Sequence, residues 1–113
     1  RLTNDHTVAQ RFVDEGVMSE DEAENSPIAH QLWNVITSSR DIRPERVEIQ
    51  LTAGDAILLC SDGLTKHVSD AAITTTIAAA KTAKEACREL ISQANSDGGT
   101  DNISVIVGRF SNS

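Results

Sequence analysis

Ala56-Ile57-Leu58-Leu59-Cys60-Ser61-Asp62-Gly63 is an apolar run that stops at a serine, an aspartate and a glycine. Such a run, bounded by turn formers, suits a central strand covered on both faces. The Asp62 carboxylate then emerges at the strand end, and Gly63 behind it permits an unusual backbone turn. Upstream, Ala53-Gly54-Asp55 supplies a tight turn. Before it, Val47, Ile49 and Leu51 alternate with Glu48, Gln50 and Thr52, the period of a strand with one wet face, so a hairpin is the simplest connection. Downstream, Asp97-Gly98-Gly99-Thr100-Asp101-Asn102 forms a turn, and Ile103-Ser104-Val105-Ile106-Val107 reads as a second buried strand ending near Phe110.

Helical signals fill the space between and before these strands. Thr82 and Glu85 form a capping box, followed by Ala86, Cys87, Leu90, Ile91 and Ala94 on one helical stripe. Val68 to Ala80 suits a helix capped by Ser69, although consecutive threonines weaken it through their branched side chains. Near the start, Thr7 with Gln10 opens a helix over 7–15. Ser19 with Glu22 opens a second, ended by Ser26-Pro27, and the two make a helical hairpin. Asn34-Val35-Ile36-Thr37 has strand character, and 38–44 reads as a loop.

If the two apolar strands are antiparallel neighbours, the end of the first meets the start of the second, and Asp62 and Asp101 converge at one sheet edge. Paired carboxylates demand a countercharge. A hard cation such as Mg²⁺ or Mn²⁺ supplies it with oxygen ligands, whereas Zn²⁺ would prefer the nitrogen and sulfur ligands this region lacks. Either motif alone is a common turn; their joint occurrence, in order and between the right elements, carries the weight. His6, His30 and His67 have no spacing that suggests a metal triad and read as structural. Trp33 reads as a core or interface anchor. Ser61 follows a strand as a nucleophile would, but the glycine pattern of a nucleophile elbow is missing.

Leu58-Leu59-Cys60-Ser61-Asp62-Gly63-Leu64-Thr65 resembles a signature of the type 2C (metal-dependent, PPM) serine/threonine protein phosphatases, and Gly98-Gly99-Thr100-Asp101-Asn102-Ile103-Ser104-Val105 resembles their closing signature. Leu2-Thr3-Asn4-Asp5-His6-Thr7 is similar to the segment leading into that family's flap, and Asn34-Val35-Ile36-Thr37 to the strand after it. The resemblance implies the C-terminal portion of an α+β fold, an α-β-β-α sandwich with antiparallel sheets flanked by helices. It divides the chain into a flap-like helical segment at about 5–33 and a sheet and helix segment at about 34–110. It also implies hydrolysis of phosphoserine and phosphothreonine in proteins by a water activated between two or more Mn²⁺ or Mg²⁺ ions. Asp62 and Asp101 would be metal ligands, with Gly63 and Asn102 in support. Two departures stand out. The family's early Asp-Gly metal motif is absent from this chain, and Ser38-Ser39-Arg40-Asp41 replaces the basic, small and apolar residues that usually lead on to a glycine.

Composition limits the alternatives. The 113 residues fit one small domain, and 39% hydrophobic with 24% charged residues disfavours extended disorder. A net charge of −7 argues against nucleic acid as a partner. No run is long and apolar enough for a membrane span. Cys60 and Cys87 read as small core residues of a reducing compartment, so a cytoplasmic domain is the expectation. The expected partner is a phosphoprotein substrate. A second reading is a non-catalytic fragment or pseudophosphatase serving as a binding or assembly module, which would pair its open sheet edges with another copy or with the missing N-terminal half.

Overall fold

The computed structural model describes residues 1–112 and groups them into two compact units, one over 1–48 and one from Ile49 onward. Unit one holds α1 (Val8–Asp14) and α2 (Glu20–Glu24). Each begins where the sequence puts a cap. The Thr7 hydroxyl accepts from the Gln10 N–H at 3.0 Å. Ser19 and Glu22 satisfy each other's main-chain N–H groups at 3.2 and 2.8 Å, a complete capping box that holds the Glu22 carboxyl below its ordinary range.

The strand expected at 34–37 is absent. In its place the Asn34 side chain takes the bonding that a neighbouring backbone would offer: its amide donates to the Arg43 carbonyl at 2.6 Å and its oxygen accepts from the Arg43 N–H at 3.2 Å. Only an isolated bridge, Thr7 to Leu32, has strand geometry there.

Unit two contains β1 (Ala56–Cys60), α3 (Asp62–Thr65), α4 (Asp70–Ala79), α5 (Ala83–Ser96) and β2 (Val105–Arg109). β1 and β2 form a two-stranded antiparallel sheet, with Ala56 opposite Arg109 and Cys60 opposite Val105. The alternating segment 47–52 is not a strand, so the expected hairpin across Ala53-Gly54-Asp55 does not form. Alternation prepares a face, but a strand exists only where a second backbone completes its hydrogen bonds, and β1 pairs with β2 alone. The turn itself survives, with Gly54 at φ 97° and its N–H donating to the Phe110 carbonyl at 2.8 Å.

One face of the sheet is covered by helices. Leu58 and Val105 pack against a cluster of Leu64, Val68, Ile73, Ala86, Leu90, Ala94 and Val107. Ala86, Leu90 and Ala94 form the fully buried stripe of α5. The opposite face carries Leu59 and its direct partner Ile106, which are 62% and 65% exposed. Coverage on both faces, expected from the apolar run, is therefore not found: the described helices supply one layer only. Cys60 is likewise exposed rather than a core residue, and Cys87 is half-buried.

Helix α4 tolerates its threonines because Thr74 and Thr75 turn their hydroxyls onto the carbonyls four residues back, Asp70 and Ala71, at 2.8 and 2.9 Å. Its C-terminal end is held by Arg109 of β2, which donates to the carbonyls of Ile77 and Ala80 at 2.5 and 2.6 Å. Among the described residues no helix is long and apolar enough to cross a membrane.

Candidate metal centre

At the Cys60–Val105 end of the ladder the chain leaves β1 for α3 and enters β2 from the glycine-rich loop. Ser61 ties these two connections together. Its N–H donates to the Ser104 carbonyl at 3.0 Å, its hydroxyl donates to the Asn102 carbonyl at 3.2 Å, and the Ser104 N–H donates back to that hydroxyl at 2.9 Å. This serine, which resembles a nucleophile only by position, is a clasp between the two segments that carry the acidic residues.

Asp62 is the first residue of α3 and Asp101 lies three positions before Ser104 in the opposing loop. The antiparallel ladder brings them together as the sequence argument requires. The measure of their approach is Lys66, one helical turn after Asp62: its Nζ lies 3.2 Å from Asp62 Oδ2 and 2.9 Å from Asp101 Oδ2. Two carboxylate oxygens thus converge on one cationic atom. The hydrogen bond to Asp101, followed by that to Asp62, raises the Lys66 ammonium above its ordinary pKa. The Lys66 ammonium, with the Asn102 N–H that donates to Asp101 Oδ1 at 2.7 Å, holds the Asp101 carboxyl below the usual carboxylate range.

The unusual backbone turn expected at Gly63 is not found. Its backbone is ordinary, since the glycines at positive φ are Gly16, Gly54, Gly98 and Gly99. What position 63 requires is space: a Cβ there would lie 2.1 Å from the Asn102 carbonyl oxygen and 2.9 Å from its carbon. The absent side chain lets α3 rest on the backbone of the loop that bears Asp101. At Asn102 it is the main chain that takes part, with its N–H on Asp101 and its carbonyl receiving Ser61.

His67, read from sequence as structural, props the same loop. Its Nε2 is 2.7 Å from Thr100 Oγ1, and its ring covers Gly98, where any Cβ would lie 2.8 Å from Cε1. In unit one, His6 Nε2 is 3.0 Å from Glu45 Oε2 and His6 Nδ1 is 2.9 Å from the Asn34 amide nitrogen. The His6 ring lies 4.9 Å from that of Trp33, over which the Arg11 guanidinium sits at 5.7 Å. His6 and Trp33 are thereby partners in local packing.

Sequence reasoning missed Lys66. Its spacing of four from Asp62 puts the two on one helix face, a signal present in the sequence. Its contact with Asp101, 35 residues away, is visible only in the fold.

Among the described residues no group of three or more His, Cys, Asp or Glu side chains is gathered so as to hold a metal ion. The donor set that does converge consists of carboxylate oxygens around one cation, which fits part of a hard-cation site.

The chain belongs to the SpoIIE family, whose model, described as stage II sporulation protein E, matches residues 15–111, within the PPM class of serine/threonine phosphatases. It is 36% identical over 107 residues to the serine/threonine protein phosphatase PstP of Mycobacterium tuberculosis, a match that covers 95% of this chain and 20% of that protein. The solved S. agalactiae serine/threonine phosphatase superposes with a TM-score of 0.88 at 33% identity, covering 98% of this chain and 46% of its own. The catalytic domain of PstP, solved in complex with two manganese ions, superposes with a TM-score of 0.74 at 36% identity, covering 94% of this chain and 43% of its own. The chain therefore spans less than half the length of each.

Proposed function

We propose that this chain supplies one side of the metal centre of a cytoplasmic protein phosphatase that hydrolyses phosphoserine and phosphothreonine in phosphoproteins. The observation that carries the reading is the convergence of Asp62 and Asp101 oxygens on one cationic atom at the end of the β1–β2 ladder. The manganese-bound PstP structure, similar over nearly all of this chain, supports Mn²⁺ or Mg²⁺ as the ion. Bound there, such ions supply Lewis acidity toward phosphoryl oxygens and a nucleophilic water at neutral pH.

The work of this chain's own residues is positional. Asp62 and Asp101 offer hard oxygen donors; Ser61, Gly63 and His67 fix the distance between the segments that bear them; the Asn102 N–H orients the Asp101 carboxylate. The remaining ligands, and cover for the Leu59–Ile106 face, come from the part of the domain that the chain does not span. An assembly-only role is the second reading, favoured by the small number of ligands this chain brings.

The test is hydrolysis of a phosphothreonine peptide by the full-length protein supplied with Mn²⁺, with Asp62→Asn and Asp101→Asn as variants. Turnover that falls at least about 100-fold in each variant supports the enzyme. Unchanged turnover in Asp62→Asn refutes the metal role, and no turnover at any Mn²⁺ concentration leaves the assembly role.

A further inference from the structure

Among the described residues Lys66 is the cation seated between the two candidate ligands, and the proposed metal centre does not account for it. Its backbone is fixed by α3: the Lys66 N–H donates to the Asp62 carbonyl at 2.9 Å, closing the helical turn that places Asp62 and Lys66 on one face. Its Nζ reaches Oδ2 of Asp62 and Oδ2 of Asp101, so it uses the oxygens that a divalent ion would need. An ammonium within 3.2 Å of both Oδ2 atoms takes up the space between them, where an ion bridging the same two oxygens would sit. Ion and ammonium therefore compete for those two oxygens and repel each other by charge.

We propose that Lys66 is a built-in competitor of the metal ion: its ammonium neutralises the Asp62–Asp101 pair and must be displaced for a divalent ion to bind. The inference rests on the metal-site reading given above and adds a regulating residue to it. The lysine removes the repulsion between two neighbouring carboxylates, so the loop stays in place without an ion. The same contact weakens the site for Mn²⁺ or Mg²⁺, because two ion pairs are given up on binding. Both pairs are solvent-exposed, so the penalty is modest, about 3- to 10-fold in affinity. Once displaced, the ammonium is released toward solvent within reach of the metal edge, and its exposure to reagents rises.

The experiment uses Mn²⁺ alone, titrated by calorimetry into the full-length protein and its Lys66→Gln, Lys66→Arg and Asp62→Asn plus Asp101→Asn forms. In parallel, acylation of Lys66 by an amine-selective reagent is followed by mass spectrometry as Mn²⁺ is added. The expected result is tighter binding in Lys66→Gln by about 3- to 10-fold, wild-type affinity in Lys66→Arg, and Lys66 labelling that rises over the Mn²⁺ range in which the site fills. Equal or weaker binding in Lys66→Gln, or labelling of Lys66 that does not respond to Mn²⁺, overturns the inference while leaving the metal site intact. If the double aspartate variant binds Mn²⁺ as well as wild type does, the metal-site reading falls and this inference with it.

Discussion

Replacing Gly63 with alanine sets a local preference against a tertiary contact, and the structure predicts which prevails. Position 63 is inside α3 with ordinary helical backbone, so propensity alone favours alanine by about 1 kcal/mol. Against this, the new Cβ would stand 2.1 Å from the Asn102 carbonyl oxygen and 2.9 Å from its carbon. That is more than roughly 1 Å inside an ordinary nonbonded separation. Both clashing atoms are backbone, in a loop pinned by Ser61 and Asp101, so no side chain can rotate away. Overpacking of this kind costs about 1–3 kcal/mol, and the rigid partner puts it at or beyond the upper end. The expected net loss is about 2 kcal/mol, or at most roughly 8 °C in Tm for a domain of this size or larger. Because relief requires moving Asn102 away from α3, Asp101 moves with it, and Mn²⁺ affinity falls by about tenfold or more. Thermal unfolding followed by circular dichroism, with a calorimetric Mn²⁺ titration of the same samples, measures both. A Gly63→Ala protein as stable as wild type, or more so, would show that the loop yields freely and that glycine is not needed there for close approach.

Ser61→Ala removes a donor and an acceptor that join the two loops, and we expect a loss of about 1 kcal/mol with weaker Mn²⁺ binding, read by urea unfolding and calorimetry. Leu90→Ala, in a position with no exposure, should cost about 2–5 kcal/mol in the same urea assay without altering the Mn²⁺ stoichiometry of the protein that remains folded. The Lys66–Asp101 contact predicts a defined pH response in metal-free protein. A carboxyl held low contributes stability above its ordinary range and loses it as pH falls through the lowered value, while an ammonium held high contributes below its ordinary range and loses it as pH rises through the raised value. The bridge is therefore complete through neutral pH, and the small difference in Tm between wild type and Asp101→Asn should begin to fall below about pH 4, disappear once pH is under the lowered Asp101 value, and shrink again above about pH 10. A difference that does not diminish as pH is lowered from about 4 would assign the effect of that substitution to something other than the ion pair.

The features legible in the sequence are those specified by neighbours along the chain. Thr82 accepts from the Glu85 N–H at 3.1 Å, Ser69 from Ala72 and Ser19 from Glu22, each at the residue its spacing indicates. Even so, Glu85 turns its carboxylate to the Lys81 N–H rather than to the cap residue, so that box is only half made. The failures lie where a distant partner decides. Val47 and Ile49 alternate correctly but have no strand to bond to, and Asn34 finds a side-chain solution to the same need. Leu59 and Ile106 are as apolar as Leu58 and Val107, so the run cannot say which face the helices will cover. At the site, Asp62 and Asp101 could be paired from strand direction alone. The roles of Gly63, Ser61 and His67 could not, because each acts through the backbone or side chain of a loop some 30 to 40 residues away.

That separation in sequence bears on the order in which the molecule is built. The bond from Ser104 to Ser61 spans 43 residues and encloses α3, α4 and α5. Contacts that close so long a segment carry the largest loop-closure entropy and tend to govern the folding rate, whereas capped helices such as α5 form locally and fast. The two carboxylates meet only when this slow ladder is zipped. Lys66 lies only four residues from Asp62, so wherever Asp62 arrives a countercharge arrives with it, and the closed ladder never holds two bare anions side by side.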